Sequence, residues 1–385
     1  MSSRLRKILG AGVVTALALG LAACSPSTGD GGSGDAEGPV RFGVALPDTG
    51  NSAQYGKYFR QGLDLAASQV NANGGVQGRQ VELVYEDTQA DPAQAPQVAQ
   101  KFVDDSSILA VLGDFGTPAT SAASQIYQDA GLVQFAFSAS GPDVTDPGDY
   151  VFATWVSQQY EAPRLAEFAA KTGKNAAVFY HDTDWGQETF GFFEEGAKKA
   201  GLNEVYSTAY DPASTDFRPL LLAAKAANPD VIVLISYAAD GALITSQARE
   251  LGIETPIVGI SSIYNQQFIE LAGDAAEGVQ TLSYFTPENQ DPKVQQFIAD
   301  FKAATGEPTP SDYAIRAYDA LNTVVQAANR AEQPLTRKGL RDSLDSGEPF
   351  DSILYGEYKL DDTRRVSDAE QFPLVIKGGA FTLQH

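Results

Sequence analysis

Residues 108–130 read Ile108-Leu109-Ala110-Val111-Leu112, then Gly113-Asp114-Phe115-Gly116-Thr117-Pro118, then Ala119-Thr120-Ser121-Ala122-Ala123-Ser124-Gln125-Ile126-Tyr127-Gln128-Asp129-Ala130. Five unbroken apolar residues, a glycine-bearing turn and a helical segment make one strand–loop–helix unit, with Thr117 expected at the helix N-cap and Pro118 at its first position. A strand with no polar alternation is one covered on both faces, as in a parallel sheet flanked by helices. The unit recurs along the chain. Strands are expected at 40–46, 80–86, 108–112, 132–137, 176–180, 205–210, 231–235, 257–260 and 279–284. Helices are expected between them at 53–73, 92–105, 118–130, 160–171, 187–200, 217–227, 241–251 and 264–271. The fold class is therefore α/β, doubly wound, and a change of character near residues 150–157 favours two lobes over one large sheet. After Phe285 the pattern turns helical (292–304, 311–331, 336–344) and ends in two strand-like pieces, 356–360 and 372–377. A late helical block with no sheet of its own has to pack on earlier strands, so the chain is expected to cross between lobes more than once.

The amino terminus carries a different message. Arg4, Arg6 and Lys7 precede an apolar run over residues 8–21, and Leu21-Ala22-Ala23-Cys24 follows with the only cysteine of the chain. Basic, apolar and small-residue segments in that order make an export signal, and the apolar run is too short to span a bilayer comfortably. Residues 1–23 are expected to be removed, leaving Cys24 as a lipidated first residue that holds the protein on the extracytoplasmic face of the cell membrane. Residues 24–38, rich in Gly, Ser and Asp, have nothing to bury and are expected to form a flexible linker. The Gly29-x-Gly31-x-x-Gly34 match to a dinucleotide fingerprint lies within it, with no strand before and no helix after, so composition explains it.

Bulk composition narrows the functions. The 385 residues include 27 Lys plus Arg against 49 Asp plus Glu, and losing the three signal cations takes the formal charge from −22 to −25. Such a surface repels nucleic acid, so no nucleic-acid partner is expected. One cysteine allows no internal disulfide, and two histidines, His181 and His385, do not make a zinc site of the usual kind. Asp182-x-Asp184 resembles the start of a calcium loop, yet the remaining ligands do not follow. No Gly-x-Ser-x-Gly elbow, His-Glu-x-x-His pair or Walker loop is present, so neither catalysis, nor a cofactor, nor a metal is expected.

Ligands of open parallel sheets bind beyond the carboxyl ends of the strands. There the first half of the chain offers Thr117 and the segment Ser138-Ala139-Ser140, hydroxyls and free backbone N–H groups suited to holding a carboxylate. A helix cap for Thr117 and an ordinary turn for Ser138 and Ser140 account for the same residues equally well. The second half offers Trp185, Tyr237, Ser261 and Ser262 at corresponding strand ends, and aromatic rings there suit the apolar part of a small solute. His181 reads more simply as a packing residue.

Several segments in series resemble one family. They are Gly43-Val44-Ala45-Leu46 with Thr49-Gly50 and Tyr55-Gly56, Asn71-Ala72-Asn73-Gly74-Gly75-Val76-Gln77-Gly78, and Asp87 with Asp91-Pro92. Later come Asp216-Phe217, Asn228-Pro229-Asp230, Gln247-Ala248-Arg249-Glu250-Leu251-Gly252, Ala272-Gly273-Asp274-Ala275-Ala276-Glu277-Gly278 and Ala317-Tyr318-Asp319-Ala320. Together they look like the branched-chain amino acid binding proteins of ABC importers, which are type I periplasmic binding proteins. The resemblance implies two doubly wound, Rossmann-like lobes joined by a three-crossover hinge, 39–156 plus 285–347 and 157–284 plus 348–385. The lobes would close on a solute, and the closed form would be recognised by permease subunits. It assigns carboxylate binding to Thr117, Ser138, Ala139 and Ser140, and flanking aromatic contacts to Trp185 and Tyr237. Where amino acid binders of the family place an acid against the ligand's ammonium, this chain has Ser261, so either Asp182, Asp184 or Asp240 takes over or the ligand has no ammonium. Phe152-Ala153 replaces the family's Phe-Arg at the hinge. The expected ligand is a small carboxylate-bearing solute, an amino acid first, with an aromatic or aliphatic acid or an amide also fitting. A monomer serving a transporter is expected, and a ligand sensor for a membrane signalling partner would use the same lobes.

Overall fold

The computed structural model describes residues 38–367 and 369–384, so the expected signal, Cys24 and the linker up to residue 37 lie outside the described residues. The first half runs β1 (Val40–Leu46), α1 (Ala53–Ala72), β2 (Val81–Asp87), α2 (Ala95–Asp104), β3 (Ile108–Leu112), α3 (Thr117–Asp129), β4 (Val133–Ala136) and β5 (Val151–Ala153). There follow α4 (Gln158–Thr172), β6 (Asn175–His181), α5 (Asp184–Ala200), β7 (Asn203–Tyr210), α6 (Arg218–Ala226) and β8 (Val231–Ile235). Then come α7 (Ala238–Glu250), β9 (Ile257–Gly259), α8 (Gln266–Ala272) and β10 (Gln280–Ser283). The last part comprises α9 (Pro292–Thr305), α10 (Asp312–Arg330), α11 (Arg337–Leu344), β11 (Phe350–Ser352), β12 (Gly356–Tyr358), β13 (Phe372–Lys377) and β14 (Ala380–Leu383).

Two sheets carry these strands. The first has the order β2-β1-β3-β4-β5, parallel throughout; the second has the order β14-β13-β10-β9-β8-β6-β7, parallel except for β13 and β14. Both are doubly wound: the order reverses at β1 in one and at β6 in the other, which opens a crevice at the carboxyl ends beside each switch point. Strands such as β8 are buried at every residue because helices cover both faces.

The late helices supply the first lobe's missing cover. Phe297 and Phe301 of α9, Leu321 and Val324 of α10, and Leu340 of α11 share one core with Val40, Phe42 and Val44 of β1. At the α1–α10 crossing Gly62 is required: a Cβ there would sit 1.9 Å from the carbonyl oxygen of Ala314. The chain passes between the sheets through 154–157, 284–291 and 359–371.

Residues 348–360 depart from expectation. They fall with the first lobe rather than the second, because the buried Asp319 carboxylate of α10 accepts from Ser352 Oγ (2.6 Å) and from the backbone N–H groups of Ile353 and Leu354 (each 2.9 Å). Phe350, Leu354 and Tyr358 accordingly join the first core, and only 372–383 adds to the second sheet. Strands β5 and β11 have three residues each, too few to carry a readable period.

Candidate functional site

The carboxyl ends of both sheets meet at one narrow cavity of about 30 Å³. A wider groove lined by Arg164, Lys171, Gln280 and Pro373 shares no residue with it. Thr117, Ser138 and Ser140 line the cavity from one side, and Trp185, Tyr237 and Ser261 from the other, so six of the seven residues singled out by sequence come together. Ala139 does not line it; the side chain is fully buried with Ala136, Val144 and Val151.

Local geometry decides what each hydroxyl can offer. Helix α3 begins at Thr117, and Gly116, with φ of +77°, occupies the N-cap position expected for Thr117. Freed from that task, Thr117 Oγ1 accepts from the backbone N–H of Gly141 (2.9 Å) and retains its own proton for a further partner. The two loops touch: a Cβ on Gly141 would meet Thr117 Cγ2 at 2.4 Å. Ser138 Oγ is buried with no partner, whereas Ser140 Oγ donates to Gln158 Oε1 at 3.2 Å. Because Gln158 also accepts from Thr189 Oγ1 of α5 (3.2 Å), it ties a first-lobe loop to a second-lobe helix.

Aromatic rings form the walls. Trp185 stacks on Tyr237 with centroids 4.7 Å apart and planes 22° apart, and Tyr55 stacks on Phe115 at 4.3 Å and 13°. Phe115 and Tyr237 meet across the lobes at 5.7 Å. Trp185 belongs to the first turn of α5, whose N-cap is Thr183. His181 packs edge-on against Trp185 and Tyr237, and burial pushes its pKa down to about 4, so it is neutral, as the packing reading requires.

The charged part of the site comes from residues that sequence reasoning passed over. Arg316 of α10 donates from Nε to Asp312 Oδ2 (2.8 Å) and its guanidinium lies 3.0 Å over the Trp155 ring. Both members of the pair are buried. Burial raises the Asp312 pKa and Arg316 opposes it. Glu161, in the first turn of α4, is 4% exposed and lines the cavity beside Ser261. Burial pushes its pKa up to about 7, against hydrogen bonds from the Ser261 hydroxyl and backbone N–H and the attraction of Arg316. A readable signal did exist: Glu161 shares a helical face with Leu165 and Phe168, and Asp312 and Arg316 share one with Ala320 and Thr323, charges placed on apolar stripes.

None of the three aspartates offered in place of an acid at Ser261 lines the cavity. Asp182 and Asp184 are exposed, the former accepting from Gln187 at 2.7 Å. Asp240 is bound by the Tyr210 hydroxyl, and burial pushes its pKa up to about 6. Among the described residues no group of His, Cys, Asp and Glu is placed to hold a metal, and no helix is long and apolar enough to cross a membrane.

Comparison with known proteins agrees with this architecture. The profile of the periplasmic binding protein family matches residues 39–372. The leucine-, isoleucine-, valine-, threonine- and alanine-binding protein of Pseudomonas aeruginosa is 29% identical over 295 residues, covering 76% of this chain and 78% of its own. The branched-chain amino acid substrate-binding protein LivJ of Streptococcus pneumoniae, solved with isoleucine, superposes with a TM-score of 0.82 at 26% identity over 89% of this chain and 97% of its own. A solute-binding protein of Rhodopseudomonas palustris solved with 3,4-dihydroxybenzoic acid shares the fold, with a TM-score of 0.81 at 23% identity over 89% of this chain and 95% of its own. Members of the family bind solutes outside the cytoplasm for ABC transporters. The chain belongs to the periplasmic binding protein family, in the type I group that contains the branched-chain amino acid binding proteins.

Proposed function

We propose that this chain is a lipoprotein, anchored through Cys24, that captures a small carboxylate-bearing solute between its lobes and presents the closed form to ABC permease subunits. An amino acid is the first candidate, since relatives with the same architecture are named for or solved with branched-chain amino acids. The observation that carries the reading is the meeting of the Thr117 and Ser138–Ser140 loops with Ser261, Trp185 and Tyr237 around one cavity. A carboxylate on the first-lobe hydroxyls would leave the rest of the solute against the second lobe's aromatic rings, and contacts made only when the lobes meet are what drive closure. The hinge is then the three connections 154–157, 284–291 and 359–371.

Titration calorimetry with a panel of amino acids and organic acids tests this. Binding is expected from at least one carboxylate-bearing solute, and Thr117→Ala is expected to weaken it by at least about 1 kcal/mol, the net worth of a typical hydrogen bond. Heat from uncharged solutes alone, or an unchanged Kd for Thr117→Ala, would remove the carboxylate from those loops.

A further inference from the structure

Beside the hydroxyls that suit a carboxylate, the cavity holds a group of the opposite demand. Glu161 Oε1 is buried with no hydrogen-bond partner. Ser261 offers its hydroxyl and backbone N–H to the same carboxylate, which lines the cavity with Oε1 unpaired. An orphaned acceptor of this kind is costly, and in a binding site it calls for a donor that arrives with the ligand.

Charge balance points the same way. Arg316 and Asp312 neutralise one another through their own hydrogen bonds. Ionised Glu161 is then one negative charge in excess, in a cavity otherwise walled by Trp155, Trp185, Tyr237 and Tyr313. A ligand carrying only a carboxylate would add a second buried negative charge; a zwitterion adds none and supplies an ammonium with three donors. The placement also fits closure. Glu161 and Ser261 belong to the second lobe, and Thr117 and Ser138 to the first, so one α-amino acid would bridge both.

We propose that Glu161, carried by α4 and oriented by Ser261, is the specificity-determining partner of a ligand ammonium, so that the cleft selects α-amino acids over acids lacking the amine. This rests on the reading of the cleft as a carboxylate site and names the solute class it takes. It also accounts for Ser261: a donor there positions the Glu161 carboxylate, where a second acid would repel it.

The test is calorimetry at pH 8 on the full chain and on Glu161→Gln, using each common L-amino acid alongside its des-amino acid, for example L-leucine with 4-methylpentanoate and L-phenylalanine with 3-phenylpropanoate. For the best-bound amino acid the unsubstituted protein is expected to reject the des-amino partner by roughly 30-fold or more, the scale on which losing one member of a buried charge pair acts. Glu161→Gln is expected to lose amino acid affinity on that same scale and to bind the des-amino acid at least as well as before. Des-amino acids bound as tightly as amino acids by the unsubstituted protein, or a Glu161→Gln variant with unchanged amino acid affinity, would overturn the assignment while leaving the carboxylate reading in place. Silence across the whole panel would overturn both. The first comparison needs no variant, so a folding defect in Glu161→Gln does not blunt it.

Discussion

Glu161 illustrates how a single residue can work against its own fold. Its pKa, about 7 in the folded protein against an ordinary 4.5, means that the native state binds the proton more tightly than the unfolded chain does. Stability from this group is therefore complete below about pH 4.5 and is lost as pH rises toward 7, a difference on the order of 3 kcal/mol. The charged and titratable groups facing it are Arg316, Asp312 and Tyr313 of α10 and Tyr284 at the end of β10. Asp114, Asp240 and Asp319, each pushed up to about 6 by burial, act in the same direction. Glu161→Gln is thus expected to show a smaller fall in unfolding midpoint between pH 5 and 7.5 than the unsubstituted protein; parallel curves would contradict the burial argument. At this scale the sequence disclosed Thr117, Ser138, Ser140, Trp185, Tyr237 and Ser261, because each lies at a strand end that the apolar runs fix. It marked Glu161 and Arg316 only as charges on apolar helix faces and gave no sign of Trp155 in the 154–157 crossing, places that only the tertiary fold brings to the strand ends.

Among the elements, α10 is the one on which the site most depends. Its apolar face covers the first sheet, while Tyr313 and Arg316 enter the cavity and Asp319 anchors the 350–358 segment. Its position is set by close approach to α1 at Gly62. Gly62→Ala is expected to push the helices apart at a cost of about 1–3 kcal/mol by overpacking, read as a lower unfolding midpoint, and to weaken ligand binding because Tyr313 and Arg316 move with α10. Unchanged midpoint and affinity would show that the crossing adjusts freely. Long elements were legible: β1, β3, β8 and α10 lie within a residue or so of where their apolar periods put them. The short β5, β11 and β14 were not, since they owe their strand geometry to neighbours rather than to any period of their own. The lobe assignment of 348–360 was hidden for the same reason, because it depends on a buried aspartate 33 to 35 residues upstream of its partners.

On the scale of the whole molecule, two sheets with reversed strand order meet at their carboxyl ends, and three connections join them without a continuous element between. Here Phe115 and Tyr237 touch across the cleft, and Tyr58 donates to Asn265 Oδ1 at 3.1 Å from one lobe to the other, so the lobes are closed on each other. On the proposed function, a ligand that spans both walls would add the differential binding energy that favours this closed arrangement. The surplus of acidic residues, a formal −22 over the full sequence, favours solubility and opposes nucleic-acid binding. Small-angle X-ray scattering of the protein from residue 25 onward, with and without a saturating amount of the tightest-binding amino acid, tests the central claim most directly. A smaller radius of gyration is expected when the ligand is present, whereas superimposable curves at a concentration that calorimetry shows to be saturating would contradict closure of the lobes on a solute.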